Sequence, residues 1–567
     1  MEYGLFFREI HIRAARIRFV VDGEFHFVSA LSRPKVILHF FNGEEDRRIP
    51  LVISEFRRDD KTRKLVFHSD YTYLLDYLFW KSKNSGNDIR MYVNLLYVDE
   101  YEEKASVSIG PDVLEQDGLV YKAYAEGNSL RIAHQPGWQK TLSSIEQNTG
   151  SRNTGLQASR AYIKKAFSFL DEHRSVFRDG RRLVRIPWIA WKRGQLLRAY
   201  SRMQKEHSLV PERISFISAR RTELSGNFAF VYNKIAQDDR LDIQMYLTKK
   251  DLYHMSGAEI SRLALLCATS RVLVLDEYTP FVHYIAIGPD TRVVQLWHAC
   301  GAFKTFGFSR LGKPKAPSQK TALHRNYDYV TVSTGNVRMC HSEGFGVPTA
   351  NVVPTGIPRT DIFFDRDYRT RTRRRLYEKY PLLQGRRVIL FAPTFRGHDR
   401  DDAYYPMERF QVGSFMDAVG EEYVLLIKHH PFVRAVHPVP EAYRERVLDL
   451  SAETELNDLL FLADLIITDY SSLVFEASLL DIPMLFYTFD LEEYISERDF
   501  YFDFESFVPG QFFYTQEELE RAVVNRDFAV DRLGAFKKRF FDDFDGHSTD
   551  RVVALLYQAM GIEPGYQ

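Results

Sequence analysis

From residue 210 to residue 487 the chain repeats one pattern, and runs through it twice. Short runs dense in Val, Ile and Leu (RISFIS, DIQMYLT, RVLVLDE, VVQLWH, YVTVST, ANVVPTG) alternate with stretches of helical spacing, and RVILFAPT, YVLLIKHH, RVLDLS, LADLIITD and IPMLFYT then do the same. Strands that are apolar on both faces have to be covered on both faces, which parallel strands joined by crossover helices achieve. Two such series predict two Rossmann-like α/β domains facing across a cleft and joined near 375–386. Ligands of open parallel sheets sit at the C-terminal ends of the strands, so the residues that follow each strand carry the chemistry.

The remaining sequence fits around this pair. A chain of 567 residues exceeds one core and predicts two or three domains. Residues 1–150 read as a β-rich, sandwich-like accessory domain, with runs such as RIRFVV, KVILHF and KLVFHS separated by turn residues. The polar stretch 139–155 reads as a linker and 156–206 as a helical, basic connector; 207–380 and 381–567 are then the two Rossmann-like domains. Between 174 and 205 stand Arg174, Arg178, Arg181, Arg182, Arg185, Lys192, Arg193, Arg198, Arg202 and Lys205 against the single acid Asp179, with Trp188 and Trp191 among them. Basic residues beside tryptophans suit the headgroup region of an anionic membrane, and equally a solvated helix packed on the next domain.

Charge and cysteine content exclude several classes. With 76 Lys and Arg against 76 Asp and Glu there is no whole-protein field for nucleic acid, and an anionic partner must be attracted locally. Cys267, Cys300 and Cys340 lack the spacing of a disulfide framework or a zinc site. No signal-peptide pattern opens the chain and no run reaches the roughly 20 apolar residues of a membrane span, so a cytoplasmic protein, soluble or peripherally attached, is expected. GxGxxG, GxxxxGK[ST] and Gly-x-Ser-x-Gly patterns are absent from the sequence.

Four strand ends hold candidate groups. In LADLIITDYSSLVFEASLL a strand ends at Thr468-Asp469, and Ser471-Ser472 open a helix whose free N–H groups and hydroxyls suit a phosphate, although either serine serves as well as an ordinary N-cap. In LLIKHHPFV, His429 and His430 precede a stiffening Pro431 and suit phosphate contact or proton transfer. LFAPTFRG offers Thr394 and the planar fork of Arg396. VVQLWHACGAFK ends a strand on His298 and continues with the small residues Ala299 to Ala302. SGNFAFVY (225–232) and VVPTGIPRTD (352–361) read as turns.

In order along the chain, WHACGAFK, VVPTGIPRTD, APTFRG, KHHP, ADLIITDYSSLVFEASLLDIPMLFY, RDFYFDFESFVPG and DGHSTDRVV resemble the CDP-glycerol glycerophosphotransferase family of teichoic acid polymerases and primases, over about 210–560. The resemblance implies a glycosyltransferase-B-type arrangement, CDP-glycerol held mainly by the C-terminal domain, and a lipid-linked polyol-phosphate acceptor at the inner face of the cell membrane. It assigns His298 as general base and His430 to the diphosphate or leaving group. Thr394, Arg396, Asp469, Ser471, Ser472 and Glu476 form the expected donor set, with Glu476 on ribose or glycerol hydroxyls. Gly301 gives clearance for the acceptor, and Lys304 contacts its phosphate. No tightly bound cofactor and no protein metal site are expected; Mg2+ brought with the substrate is compatible with this set. Alternatives on the same fold are a CDP-ribitol ribitolphosphotransferase, a sugar-nucleotide glycosyltransferase, and a non-catalytic polymer-binding protein.

Overall fold

In the computed structural model, residues 185–563 are described apart from short breaks at 314–315, 320, 398–401, 436, 453–455, 503 and 544, together with strand segments between 4 and 134. The expected linker 139–155 and the connector up to 184 lie outside the described residues.

The doubled pattern forms two six-stranded sheets, and every pairing in them is parallel. The first runs Asp242–Leu247, Val210–Ser218, Ser270–Leu275, Arg292–Gln295, Tyr329–Val332, Val352–Pro354. The second runs Val447–Asp449, Tyr423–Ile427, Arg387–Phe391, Leu465–Thr468, Met484–Tyr487, Gln511–Phe513. Central strands such as Tyr423–Ile427 and Leu465–Thr468 are buried along their whole length, as uniformly apolar strands require. In each sheet the chain builds outward, then returns past its first strand. That reversal leaves a crevice between Val210–Ser218 and Ser270–Leu275 in the first sheet, and between Arg387–Phe391 and Leu465–Thr468 in the second. Such reversal points are where open α/β sheets bind ligands.

Connections between the domains depart from a clean division at 381–567. The helix Ser548–Met560 leaves the second domain and packs Val552, Val553 and Leu556 against Ile214, Phe216, Val272 and Val294 of the first sheet. Its opening N–H groups, which have no partner within a helix, are taken by the carboxylate of Asp361, from Ser548 at 3.0 Å and Thr549 at 2.7 Å.

The N-terminal segments form two six-stranded, largely antiparallel sheets, in which Ile17, Phe19 and Val21 point inward by simple alternation. This β-rich region touches the first Rossmann-like domain where Gln319 Nε2 donates to the Tyr71 hydroxyl and the Thr72 carbonyl, both at 3.2 Å. The helix Arg185–Glu206 lays Leu196, Tyr200 and Met203 onto the helix Gly257–Thr269. Its basic residues are not all available to a membrane: Lys192 is buried and donates to the Met255 carbonyl at 2.5 Å, and Arg193 lies 3.9 Å over the Tyr284 ring. Trp188 and Trp191 are exposed, at 50% and 45%. Among the described residues no helix is long and apolar enough to cross a membrane.

Candidate active site

The first crevice is built from the ends of three strands. After Gln295 the backbone of Trp297 enters the left-handed region, with φ of 54°, which costs a side-chain-bearing residue on the order of 1–3 kcal/mol. Two side chains hold it there: Trp297 N–H donates to Gln295 Oε1 at 2.8 Å, and Asn227 Nδ2 donates to the Trp297 carbonyl at 2.8 Å. The SGNF segment, expected as a loop, thus opens a helix at Asn227 whose side chain reaches across to fix the turn. The result is His298, 44% exposed, with Nδ1 buried and 3.1 Å from Glu277 Oε2. Glu277 and Asp276 follow the strand Ser270–Leu275 directly.

Burial would raise the Glu277 carboxyl, but His298 and the guanidiniums of Arg220 and Arg221 hold it below the usual carboxylate range. Asp276 is different: burial pushes it up to about 6 despite Arg221 Nε at 2.6 Å. Glu277, Asn227, Arg220 and Arg221 are residues that strand-end reasoning passed over, although Asp276-Glu277 stands at a strand end as plainly as His298 does.

The small residues after His298 do not leave room for a ligand. Gly301 has a φ of +59°, and a Cβ placed on it would lie 2.2 Å from the Phe475 ring; Cys300 and Ala302 are buried as well. Gly301, expected to clear a path for an acceptor, is instead where the second domain's helix Leu473–Leu479 packs against the first domain.

In the second crevice the expected phosphate contacts are spent on one another. Arg396 donates through Nε and Nη2 to Asp490 at 2.6 and 2.9 Å, and through Nη1 to Asp469 at 2.8 Å and the Thr394 carbonyl at 2.8 Å. Asp469 Oδ1 also accepts from Thr394 N–H at 2.7 Å, the Thr394 hydroxyl at 2.8 Å and Tyr470 N–H at 2.6 Å. Thr394, Arg396 and Asp469 are therefore the framework of the crevice, with donors already committed. Glu476, expected to bind hydroxyls, is 2% exposed and ion-paired with Arg359 of the PRTD segment. Ser472 precedes the helix but makes no capping bond, and Ser471 Oγ accepts from Leu473 N–H at 3.3 Å; both serines are half-buried. Beyond Arg396 lies a cavity of about 890 Å³ whose walls include Asp402, Glu408, Glu492, Glu493 and Glu497, the wrong sign for a diphosphate.

Cations gather instead around His430. His429 is buried against His437, their Nε2 and Nδ1 3.2 Å apart, and is architectural. His430 is half-buried and its Nδ1 accepts Phe432 N–H at 3.2 Å, which puts the proton of the neutral ring on Nε2. Burial, reinforced by Lys304, Lys428 and Arg498, pushes His430 down to about 4. It is a neutral N–H donor at pH 7. Lys304 comes from the first domain, paired across a β-bridge with Phe500 of the second, and lies 5.3 Å over the Tyr494 ring. Arg498 lies 4.9 Å over Phe395 and 5.6 Å over Tyr494. His430, Lys304 and Arg498 thus share one interdomain neighbourhood of the sign a diphosphate needs; Arg498 was not anticipated.

Comparison with known proteins gives the chain's family and fold. The family described as CDP-glycerol:poly(glycerophosphate) glycerophosphotransferase matches residues 199–558. The teichoic acid poly(ribitol-phosphate) polymerase of Bacillus spizizenii is 40% identical over 353 residues, which span 62% of this chain and 57% of that relative's length. The teichoic acid glycerol-phosphate primase of Bacillus subtilis is 28% identical over 295 residues, 51% of this chain and 74% of that one. A solved structure of the wall teichoic acid polymerase TagF shares the fold, with a TM-score of 0.55 at 18% identity over 68% of this chain and 98% of that one.

Proposed function

This chain belongs to the CDP-glycerol:poly(glycerophosphate) glycerophosphotransferase family, and from that premise we propose that it moves a polyol phosphate from a CDP-polyol to the terminal hydroxyl of a lipid-linked polyol-phosphate acceptor, releasing CMP. The observation that carries the reading is a division of labour between the domains: a half-exposed imidazole with an anionic partner in the first, and His430 and Arg498 in the second, joined there by Lys304 reaching over from the first.

In the reaction the acceptor hydroxyl attacks the β-phosphorus, the bond from that phosphorus to the bridging oxygen breaks, and CMP departs with the electron pair. His298 Nε2 takes the hydroxyl proton, help typically worth roughly 10²–10⁴ in rate. Phosphoryl transfer is otherwise positioning and electrostatics. Lys304 and Arg498 supply charge, and His430 donates Nε2–H to the diphosphate without itself transferring a proton. Ser471 and Ser472 are the remaining donors of the expected set on this side. Mg2+ would add charge to the substrate's diphosphate, with no step routed through a protein-bound metal.

CDP-glycerol is the donor that the family's description supports, and CDP-ribitol is supported by the higher identity to the ribitol-phosphate polymerase, 40% against 28% for the glycerol-phosphate primase. Purified enzyme given each donor and a lipid-linked primer should release CMP with one of them. Release with neither, or undiminished release after His298→Ala, would overturn the proposal; tighter calorimetric binding of UDP-sugars would favour a glycosyltransferase.

Peripheral attachment to the cytoplasmic face of an anionic membrane belongs to the same reading. Because Lys192 and Arg193 are engaged within the fold, its test replaces Trp188, Trp191, Arg198, Arg202 and Lys205; unchanged flotation with anionic liposomes would reject this helix as the anchor.

A further inference from the structure

We infer that Glu277 is the positioning residue of the base, holding His298 in the tautomer and orientation that present Nε2 to the acceptor hydroxyl, and that this pair is the functional content of the first sheet's reversal point. The inference rests on the reading of His298 as base.

Geometry carries it. His298 is 44% exposed, yet its Nδ1 is buried and lies 3.1 Å from Glu277 Oε2, so the exposed edge of the ring is the opposite, Nε2 edge. A neutral imidazole has one N–H, and a base needs its lone pair on the reactive side. An anion beside Nδ1 draws the N–H to that nitrogen and leaves Nε2 bare. The contact is at ion-pair distance with the ring N–H not yet aligned on the oxygen, and such contacts commonly tighten when substrate closes a site. When His298 takes the acceptor's proton, Glu277 faces the new imidazolium charge, while the proton can pass from the exposed Nε2 edge to water.

Three further features point the same way. Glu277 is held ionised by its cationic neighbours, as the role requires. The charges facing it are His298, Arg220, Arg221 and Asp276; of these, Arg221 is engaged with Asp276 at 2.6 Å and with Ser225, its Nη1 donating to the Ser225 carbonyl at 2.7 Å and to Ser225 Oγ at 2.8 Å. Arg221 is thus anchored on the neighbouring carboxylate, and the ion-pair contact of Glu277 itself is with the imidazole. The backbone is fixed from behind: Gln295 Nε2 donates to the Glu277 carbonyl at 3.1 Å while Gln295 Oε1 accepts from Trp297 N–H at 2.8 Å. One buried side chain therefore ties the backbone beside the carboxylate to the backbone beside the histidine, so their separation is set by the sheet and not by side-chain chance.

The test is a double-mutant cycle on the full chain, with CMP release from CDP-glycerol and CDP-ribitol on a lipid-linked primer as readout. Glu277→Ala should lower kcat on the order of 10²-fold, with donor affinity by calorimetry unchanged. Glu277→Gln, which keeps an acceptor for Nδ1–H but removes the charge, should lose about tenfold. His298→Ala combined with Glu277→Ala should be no slower than His298→Ala alone, because the carboxylate acts only through the ring. Multiplying losses, or a Glu277→Gln enzyme with wild-type kcat, would overturn the positioning role while leaving His298 as base. Wild-type turnover by His298→Ala would remove the base reading and this inference with it. Donor binding by Glu277→Gln reports that the variant is folded; failure of this near-isosteric variant to bind donor would also overturn the inference, since it would make Glu277 a structural residue.

Discussion

The two reversal points sit in sheets of the same construction, yet they use their charged residues in opposite ways. In the first, His298 and Glu277 meet at the rim and the imidazole keeps an exposed edge. In the second, Arg396 is sandwiched between Asp469 and Asp490, and the cationic groups gather elsewhere, around His430 at a neighbouring strand end, with Arg498 from the end of the helix Leu491–Arg498 and Lys304 from the opposite domain. A reversal point guarantees a crevice. Whether the crevice is reactive or structural depends on how many partners its side chains already have.

The contrast can be broken at several points, the largest effect first. His298→Ala should reduce CMP release by roughly 10²–10⁴-fold with little change in thermal midpoint, since the ring is half-exposed. Arg396→Met should do the reverse, destabilising the second domain by about 3–5 kcal/mol in urea unfolding, because it strands the buried carboxylate of Asp469 and the half-buried one of Asp490. If Arg396→Met unfolds no more easily and loses only donor affinity, the second crevice is a ligand site after all. Gly301→Ala should cost about 1–3 kcal/mol, measured as a lowered midpoint, because the new Cβ meets Phe475 and the backbone is left-handed.

Two smaller effects sharpen the comparison. Lys304→Ala should raise the donor KM about tenfold if the lysine serves the diphosphate beside His430, as its surroundings favour; a rise confined to the acceptor KM would restore the assignment made from the sequence. His430, His429 and His341 are each pushed down to about 4, against about 6.5 in the unfolded chain. Between those values the unfolded chain binds more protons, so stability must fall as the pH drops from about 6.5 toward 4. Urea midpoints at pH 7 and pH 5 check the sign, and His430→Gln should flatten part of the slope.

Much of this molecule was legible in its sequence because the relevant physics is local. Doubly buried parallel strands need unbroken apolar runs, so RVLVL, YVLLI and LIIT announced themselves, and with them the strand ends that bear His298 and His430. Which of two adjacent histidines is available was decided by packing: His437, eight residues on, buries His429 and leaves His430 toward the cations. The PRTD turn gave no hint that Arg359 would reach Glu476, more than a hundred residues away.

The sequence by itself determined the two sheets, their chain order and the family's motifs, since period and burial are written residue by residue. Tertiary structure alone decided which charged groups are free to act. Arg396 and Thr394 look like phosphate ligands until Asp469 and Asp490 are brought against them, Gly301 looks like empty space until Phe475 fills it, and His298 is an ordinary strand-end histidine until Glu277, from a neighbouring strand, is set beside its buried nitrogen. A side chain's chemistry depends on its partners within a few ångströms, and in a parallel sheet those partners come from strands separated in the chain by whole crossover units.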